Sequence, residues 1–259
     1  MKHILYILLF TVYYLLFTFY GFSRAEDPKQ QVGIDEKLGQ IAPLDVTVFD
    51  EYGKSVKLRD LTMGKPIVLT LVYYRCPGLC SPLLNGFTKT IDKCDLIPGK
   101  DYAMITVSFD PRENYEIAVE KKKNYLNQFK IKQPGNDDWR FLTADSANIA
   151  RLTDGVGFRY MRQGEDYVHG AVVTVLSPDG KIARYLYGTD FLPFDFKLAV
   201  IEASEGRVGT TISKVVSLCY SYDAEGKRYA LDVTRLAGGG ILFLLTVFVI
   251  VLFVKRKKN

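Results

Sequence analysis

The chain has 259 residues, of which 48% are hydrophobic and 24% charged. That is too apolar for an intrinsically disordered chain and too charged for a protein that crosses a membrane many times. Lys and Arg number 34 against 29 Asp and Glu, but the excess sits in residues 1–25 and 255–259, which hold no acid. The body between them is close to neutral and carries no field that would draw it to nucleic acid. Four cysteines are too few for a disulfide scaffold.

In chain order, Met1-Lys2-His3 precedes an apolar run from Ile4 to Phe22, and Ser23-Arg24-Ala25 follows. A short basic start, an apolar stretch and small residues before a break describe a secretory signal over 1–25, or an uncleaved anchor. Residues 26–43 are polar and contain Gly and Pro, which reads as a linker. Leu44–Phe49 alternates like a strand, and Asp50–Gly53 reads as a turn. Ile67–Tyr74 is a β-branched and aromatic run suited to a strand buried on both faces. Leu83, Leu84, Phe87 and Ile91 recur at helical spacing within Ser81–Ile91. Tyr102–Phe109 predicts another buried strand, and Tyr115–Phe129 an amphipathic helix with Lys121, Lys122 and Lys123 on its wet side. Trp139–Thr143 predicts a short strand and Ser146–Asp154 a short helix. Ala171–Leu176 and Lys181–Tyr187 form a hairpin about Ser177-Pro178-Asp179-Gly180, and Phe194–Ser204 a final helix. Strands alternating with helices imply an α/β sheet. Residues 44–206 make the domain, and 207–235 a membrane-proximal segment.

Leu236–Val254 is uncharged and ends in Lys255-Arg256-Lys257-Lys258. Nineteen residues at about 1.5 Å rise span roughly 28 Å, which matches a bilayer core. A transmembrane helix over 236–254 is expected, with the basic tail 255–259 in the cytoplasm. The body then faces the periplasmic side of a bacterial inner membrane, where disulfides can persist.

Cys76-Pro77-Gly78-Leu79-Cys80 falls where a buried strand ends and a helix begins. A helix N-terminus lowers a thiol pKa, and this spacing lets both sulfurs share a metal or close a disulfide. A bridge over so few residues fastens little, so the pair is read as redox or metal chemistry. His169 is the sole imidazole of the body, and two thiolates with one imidazole make a soft site that suits Cu(I) and tolerates Cu(II). Cys94 is read as idle. Cys219 is either idle or a thiol offered to the site or to a partner. Phe158, Phe191, Phe194 and Phe196 are candidates for an interaction rim or for core.

Val72–Cys80, Val107-Ser108-Phe109-Asp110-Pro111, and His169 ahead of Val175–Lys181 together resemble the Sco/SenC family of thioredoxin-fold copper-binding proteins. The resemblance covers roughly residues 40–206. It implies a thioredoxin-like fold and one copper ion per chain, held by Cys76, Cys80 and His169. It implies Asp110 as an acid beside the metal that orients a ligand, and copper delivery to the copper A centre of cytochrome c oxidase subunit II or a related copper-receiving protein. It also implies reduction of that partner's cysteines. Three features depart from the family pattern: Ser81 follows the second cysteine, Val168 precedes the histidine, and an apolar run closes the chain. Two other functions use the same thiols. One is a periplasmic thiol–disulfide oxidoreductase needing only Cys76 and Cys80. The other is a peroxidase or redox sensor, in which Arg75 would stabilise the attacking thiolate.

Overall fold

The computed structural model describes residues 32–132 and 134–209, with the strands Tyr220–Asp223 and Arg228–Leu231 described as backbone. The expected signal, transmembrane helix and basic tail, together with Cys219, lie outside the described residues. Among the described residues, no helix is long and apolar enough to cross a membrane.

The elements follow in chain order. β1 is Gly33–Ile34, β2 Thr47–Phe49 and β3 Ser55–Lys57, followed by a 3-10 turn at Leu58–Leu61. β4 is Ile67–Val72, α1 Cys80–Lys93, β5 Ala103–Ser108 and α2 Tyr115–Leu126. β6 is Trp139–Leu142, α3 Ser146–Gly155, β7 Phe158–Gln163 and β8 Asp166–His169. β9 is Val172–Leu176, β10 Ile182–Tyr187 and α4 Pro193–Ser204. β11 (Tyr220–Asp223) and β12 (Arg228–Leu231) pair antiparallel.

The main sheet runs β10-β9-β4-β5-β6. β4, β5 and β6 are parallel, while β9 joins β4 antiparallel and turns into β10. Every residue of β4, β5 and β9 is buried, as their unbroken apolar runs predict for central strands. The two polar residues that meet in register, Thr70 and Thr106, satisfy each other at 2.7 Å, and Trp139 Nε1 donates to Thr106 Oγ1 at 2.8 Å. Burial therefore leaves none of these three polar groups unpaired. Phe87 on α1 meets both Trp139 and Phe196, which joins α1, α4 and β6 in one aromatic seam. The helices start where local chemistry directs. Asn114 caps α2 by accepting the Ile117 N–H, and Asp145 caps α3 by accepting that of Asn148 at 2.8 Å.

A second, three-stranded sheet runs β1-β7-β8. The β7–β8 hairpin has no clear signature in the sequence. β7 reads Phe-Arg-Tyr-Met-Arg-Gln, whose charged residues mask a period-two pattern. The stretch expected to be a linker instead contributes β1, which pairs with β7, and continues into buried Ala42 on the domain.

One further expectation changes, and one open alternative is decided. Lys122 is not on a wet face. It is buried, and its Nζ lies 2.7 Å from Glu51 Oε1. Arg140 and the Phe141 N–H share the same carboxylate at 2.7 and 2.9 Å, so two cations and an amide neutralise one buried acid. Of the aromatics that could form rim or core, Phe158 and Phe196 are core, and Phe194 is largely exposed.

Candidate metal centre

β4 ends at Val72, and the chain turns through Tyr73-Tyr74-Arg75 into Cys76. This turn is pinned by a residue that the motif does not mention. Glu113, 5% exposed, accepts the Tyr74 and Arg75 N–H groups at 2.7 Å each and the Ser108 hydroxyl at 2.5 Å. Tyr74 donates its hydroxyl to the Leu142 carbonyl at 2.8 Å. One carboxylate thus ties the cysteine loop to the end of the neighbouring strand β5. Arg75 enters the site through its backbone N–H, not as a thiolate partner shown by any contact.

Cys80 is the first residue of α1, and no side chain from Leu79 caps that helix. Cys76 takes the place of a cap, since the Cys80 N–H points to Cys76 Sγ at 3.4 Å. Sulfur at a helix N-terminus is favoured as thiolate. The hydrogen bond with Cys80 is the leading influence on Cys76. With His169 and the loop amides it holds the Cys76 thiol far below its ordinary range, despite the opposing effect of burial. Cys80 goes the other way, raised first by burial and then by the neighbouring Cys76 sulfur. The pair therefore presents one half-buried thiolate and one buried thiol.

The third group arrives from the other sheet. His169 is the last residue of β8 and 9% exposed. Its Nδ1 lies 2.9 Å from the Gly170 carbonyl, which can only accept, so Nδ1 carries a proton and Nε2 is left facing the two sulfurs. Nε2 lies 3.4 Å from Cys80 Sγ and 4.0 Å from Cys76 Sγ. The three donor atoms fall within 4.8 Å of one another, a spacing that could hold a metal ion. Tyr73 and Phe109 stand edge-on to the imidazole with ring centres 5.8 and 5.2 Å away. These rings fix the imidazole plane and shield it from water. Burial also pushes the Tyr73 hydroxyl pKa up.

Asp110 is buried, but its hydrogen bonds do not run to the imidazole. It receives Arg112 Nε and Nη2 at 2.8 Å each and the Tyr167 hydroxyl at 3.2 Å. Burial raises its carboxyl pKa, and the Arg112 contacts overcome this to leave a net lowering. Its influence on His169 therefore passes through Tyr167, two residues earlier on the same face of β8. Cys94, at the end of α1, is buried outside the three-donor group, and burial raises its thiol.

Glu113, Tyr73, Arg112 and Tyr167 are the shaping residues that sequence reasoning missed. Glu113 carried the faintest signal, an acid next to the helix-capping Asn114, where it passes for an ordinary first-turn acid.

The family profile described as SCO1/SenC matches residues 43–193. Protein SCO1 homolog 1 of Arabidopsis thaliana is 28% identical over 141 residues, covering 52% of this chain but only 39% of that protein's length. The SCO1 protein homolog of Bacillus subtilis is 26% identical over 154 residues, covering 58% of this chain and 75% of the relative. The crystal structure of an Aquifex aeolicus VF5 protein named for electron transfer superposes with a TM-score of 0.58 at 34% identity, covering 65% of this chain and 95% of that one. The profile spans more than half of the chain and includes both cysteines and the histidine. The chain belongs to the SCO1/SenC family.

Proposed function

We propose that the chain is a membrane-tethered metallochaperone. It binds one copper ion through Cys76, Cys80 and His169 and passes it to the copper A centre of cytochrome c oxidase or a related copper-receiving protein. The observation that carries this reading is the convergence of two sulfurs and one imidazole nitrogen within 4.8 Å. Two soft sulfurs with one nitrogen suit Cu(I), whereas structural zinc usually takes a fourth ligand. Cys76 is the half-buried member of the set, so an incoming thiolate or imidazole has access to the metal there. Transfer then proceeds by ligand exchange, without a free ion. Oxidising Cys76 and Cys80 to a disulfide releases the metal, which couples loading to redox state. In this reading residues 1–25 direct export or anchor the chain, and 236–254 hold it in a bacterial inner membrane. The body lies on the periplasmic side and the tail 255–259 in the cytoplasm. The tether raises the local concentration of membrane-embedded targets.

One observation favours a second reading. A half-buried low-pKa sulfur beside a buried high-pKa thiol is also the arrangement of a thiol–disulfide oxidoreductase. A single substitution separates the two. His169→Ala is expected to abolish Cu(I) retention by the reduced protein while leaving dithiol exchange intact. Metal analysis and X-ray absorption read the outcome: one copper with two sulfur and one nitrogen neighbours in the unsubstituted protein supports the chaperone. No retained copper, together with a readily reduced disulfide, selects the oxidoreductase.

A further inference from the structure

The two cysteines and the histidine stand on different sheets. Cys76 and Cys80 follow β4 of the main sheet, while His169 ends β8 of the β1-β7-β8 sheet. β9 begins three residues after His169 and pairs with β4, which brings the end of β8 towards the cysteine loop, but no strand pairing joins the β7–β8 hairpin to the loop after β5. Side chains must dock the hairpin there: Phe109 packs on Tyr167 and His169, Tyr167 bonds Asp110, and Arg112 alone of these reaches the hairpin's turn.

Arg112 lies two residues beyond Asp110. Its Nε and Nη2 grip the Asp110 carboxylate at 2.8 Å each. The same Nη2 donates to the backbone carbonyl of Glu165 at 2.7 Å, and Nη1 reaches the Glu165 carboxylate at 2.7 Å. Glu165 sits in the turn between β7 and β8. The guanidinium also lies over the Tyr167 ring, 5.5 Å from its centre, while Tyr167 donates its hydroxyl back to Asp110. All three guanidinium nitrogens and one face of the group are engaged. A planar fork suits this double grip, and the point charge of lysine does not.

Tyr167 and His169 share the inward face of β8, and both pack on Tyr73 and Phe109. A clasp at the turn and at Tyr167 thus sets where β8 ends. We infer that Arg112 is a positioning residue, a clasp that holds the histidine-bearing hairpin against the cysteine loop and so sets the third donor of the metal site. This rests on the copper reading proposed above, with the test arranged to separate the two.

The full chain is prepared unsubstituted, as Arg112→Gln, and as Arg151→Gln. The last removes an exposed ion pair with Asp45 elsewhere and serves as the control. Two measurements are made on each: backbone hydrogen exchange of the metal-free, reduced protein, and Cu(I) affinity with X-ray absorption of the loaded protein. Arg112→Gln is expected to speed exchange across residues 158–169 while leaving β4 and β5 as they were. It is expected to weaken copper about tenfold to a hundredfold, the usual cost of losing support behind a ligand, with the nitrogen neighbour lost or disordered and both sulfurs kept. Arg151→Gln is expected to change neither. If hairpin exchange and the copper neighbours match the unsubstituted protein, Arg112 is no clasp. If exchange rises everywhere, its role is general stability and the inference falls. If the unsubstituted protein takes no copper while Arg112→Gln still loosens only the hairpin, the clasp stands and the copper reading falls.

Discussion

Cys76 and Cys80 are four positions apart yet chemically opposite. The Cys80 N–H and thiol, His169 and the loop amides all favour charge on Cys76, whereas burial keeps Cys80 protonated. The lowered pKa has a direct consequence for reactivity. Cys76 remains a thiolate as pH falls through the neutral range and is lost only when pH drops to its own, much lower, value. Alkylation of the reduced, metal-free protein should therefore modify Cys76 first, at a rate nearly constant from about pH 8 to 5, whereas a free thiol slows about tenfold per unit below its pKa. Peptide mapping after a short iodoacetamide pulse reads this, and a rate that falls tenfold per unit through that range would contradict the assignment. That these three residues form one group was legible in the sequence: the thiol pair through its strand–helix junction, the histidine chiefly through the resemblance to a copper-binding family. Glu113 was not legible. Its importance comes from accepting N–H groups 38 and 39 positions away, and nothing about an acid near a helix start reveals such a partner.

At the scale of elements, the cysteine loop is held by that one carboxylate, and the histidine by a hairpin on a separate sheet. Glu113→Ala would leave the Tyr74 and Arg75 amides and the Ser108 hydroxyl without their acceptor. Each buried donor left unpaired costs about 1–3 kcal/mol, so a clear drop in the urea midpoint is expected, with Cu(I) retention weakened as the loop loosens. Unchanged unfolding and copper retention would show that the loop is shaped by other contacts. The central strands were legible because burial on both faces forces an unbroken apolar run, as in β4 and β5. β7 and β8 were not. Their inward residues Phe158, Tyr160, Tyr167 and His169 are aromatic, while Arg159, Arg162 and Glu165 interrupt the pattern, so the stretch reads as a polar loop. The short β1 could not be seen without the strand it pairs with.

At the scale of the whole molecule, the buried Glu51 carboxylate joins the β2–β3 hairpin, α2 and β6 through Lys122, Arg140 and the Phe141 amide. Burial pushes its pKa up, but the two cations and the amide together hold it below the usual carboxylate value. The sign follows. The contribution is fully present above the unfolded value of about 4.5 and is lost as pH falls through the lower folded value. Glu51→Gln should cost about 3–5 kcal/mol at neutral pH by leaving Lys122 and Arg140 underpaired, and should flatten the acid limb of stability below about pH 4.5. Thermal unfolding measured from pH 7 to 3 tests both parts, and an acid limb that persists in the variant would place the effect elsewhere. Lys122 shows why this network escaped sequence reading. It stands in a run of three lysines that looks uniformly solvated, and only the tertiary position of Glu51 picks out one of them.

The separation of the donors along the chain has a thermodynamic consequence. Cys76 and Cys80 lie four residues apart, but Cys80 and His169 lie 89 apart. A disulfide between the cysteines leaves the unfolded chain almost as free as before. A metal that also engages the imidazole ties the ends of a long loop, and the denatured ensemble loses correspondingly more conformations. The same two sulfurs therefore yield two differently braced molecules. The oxidised protein should melt close to the reduced, metal-free one, and the form bound through all three donors should melt well above both.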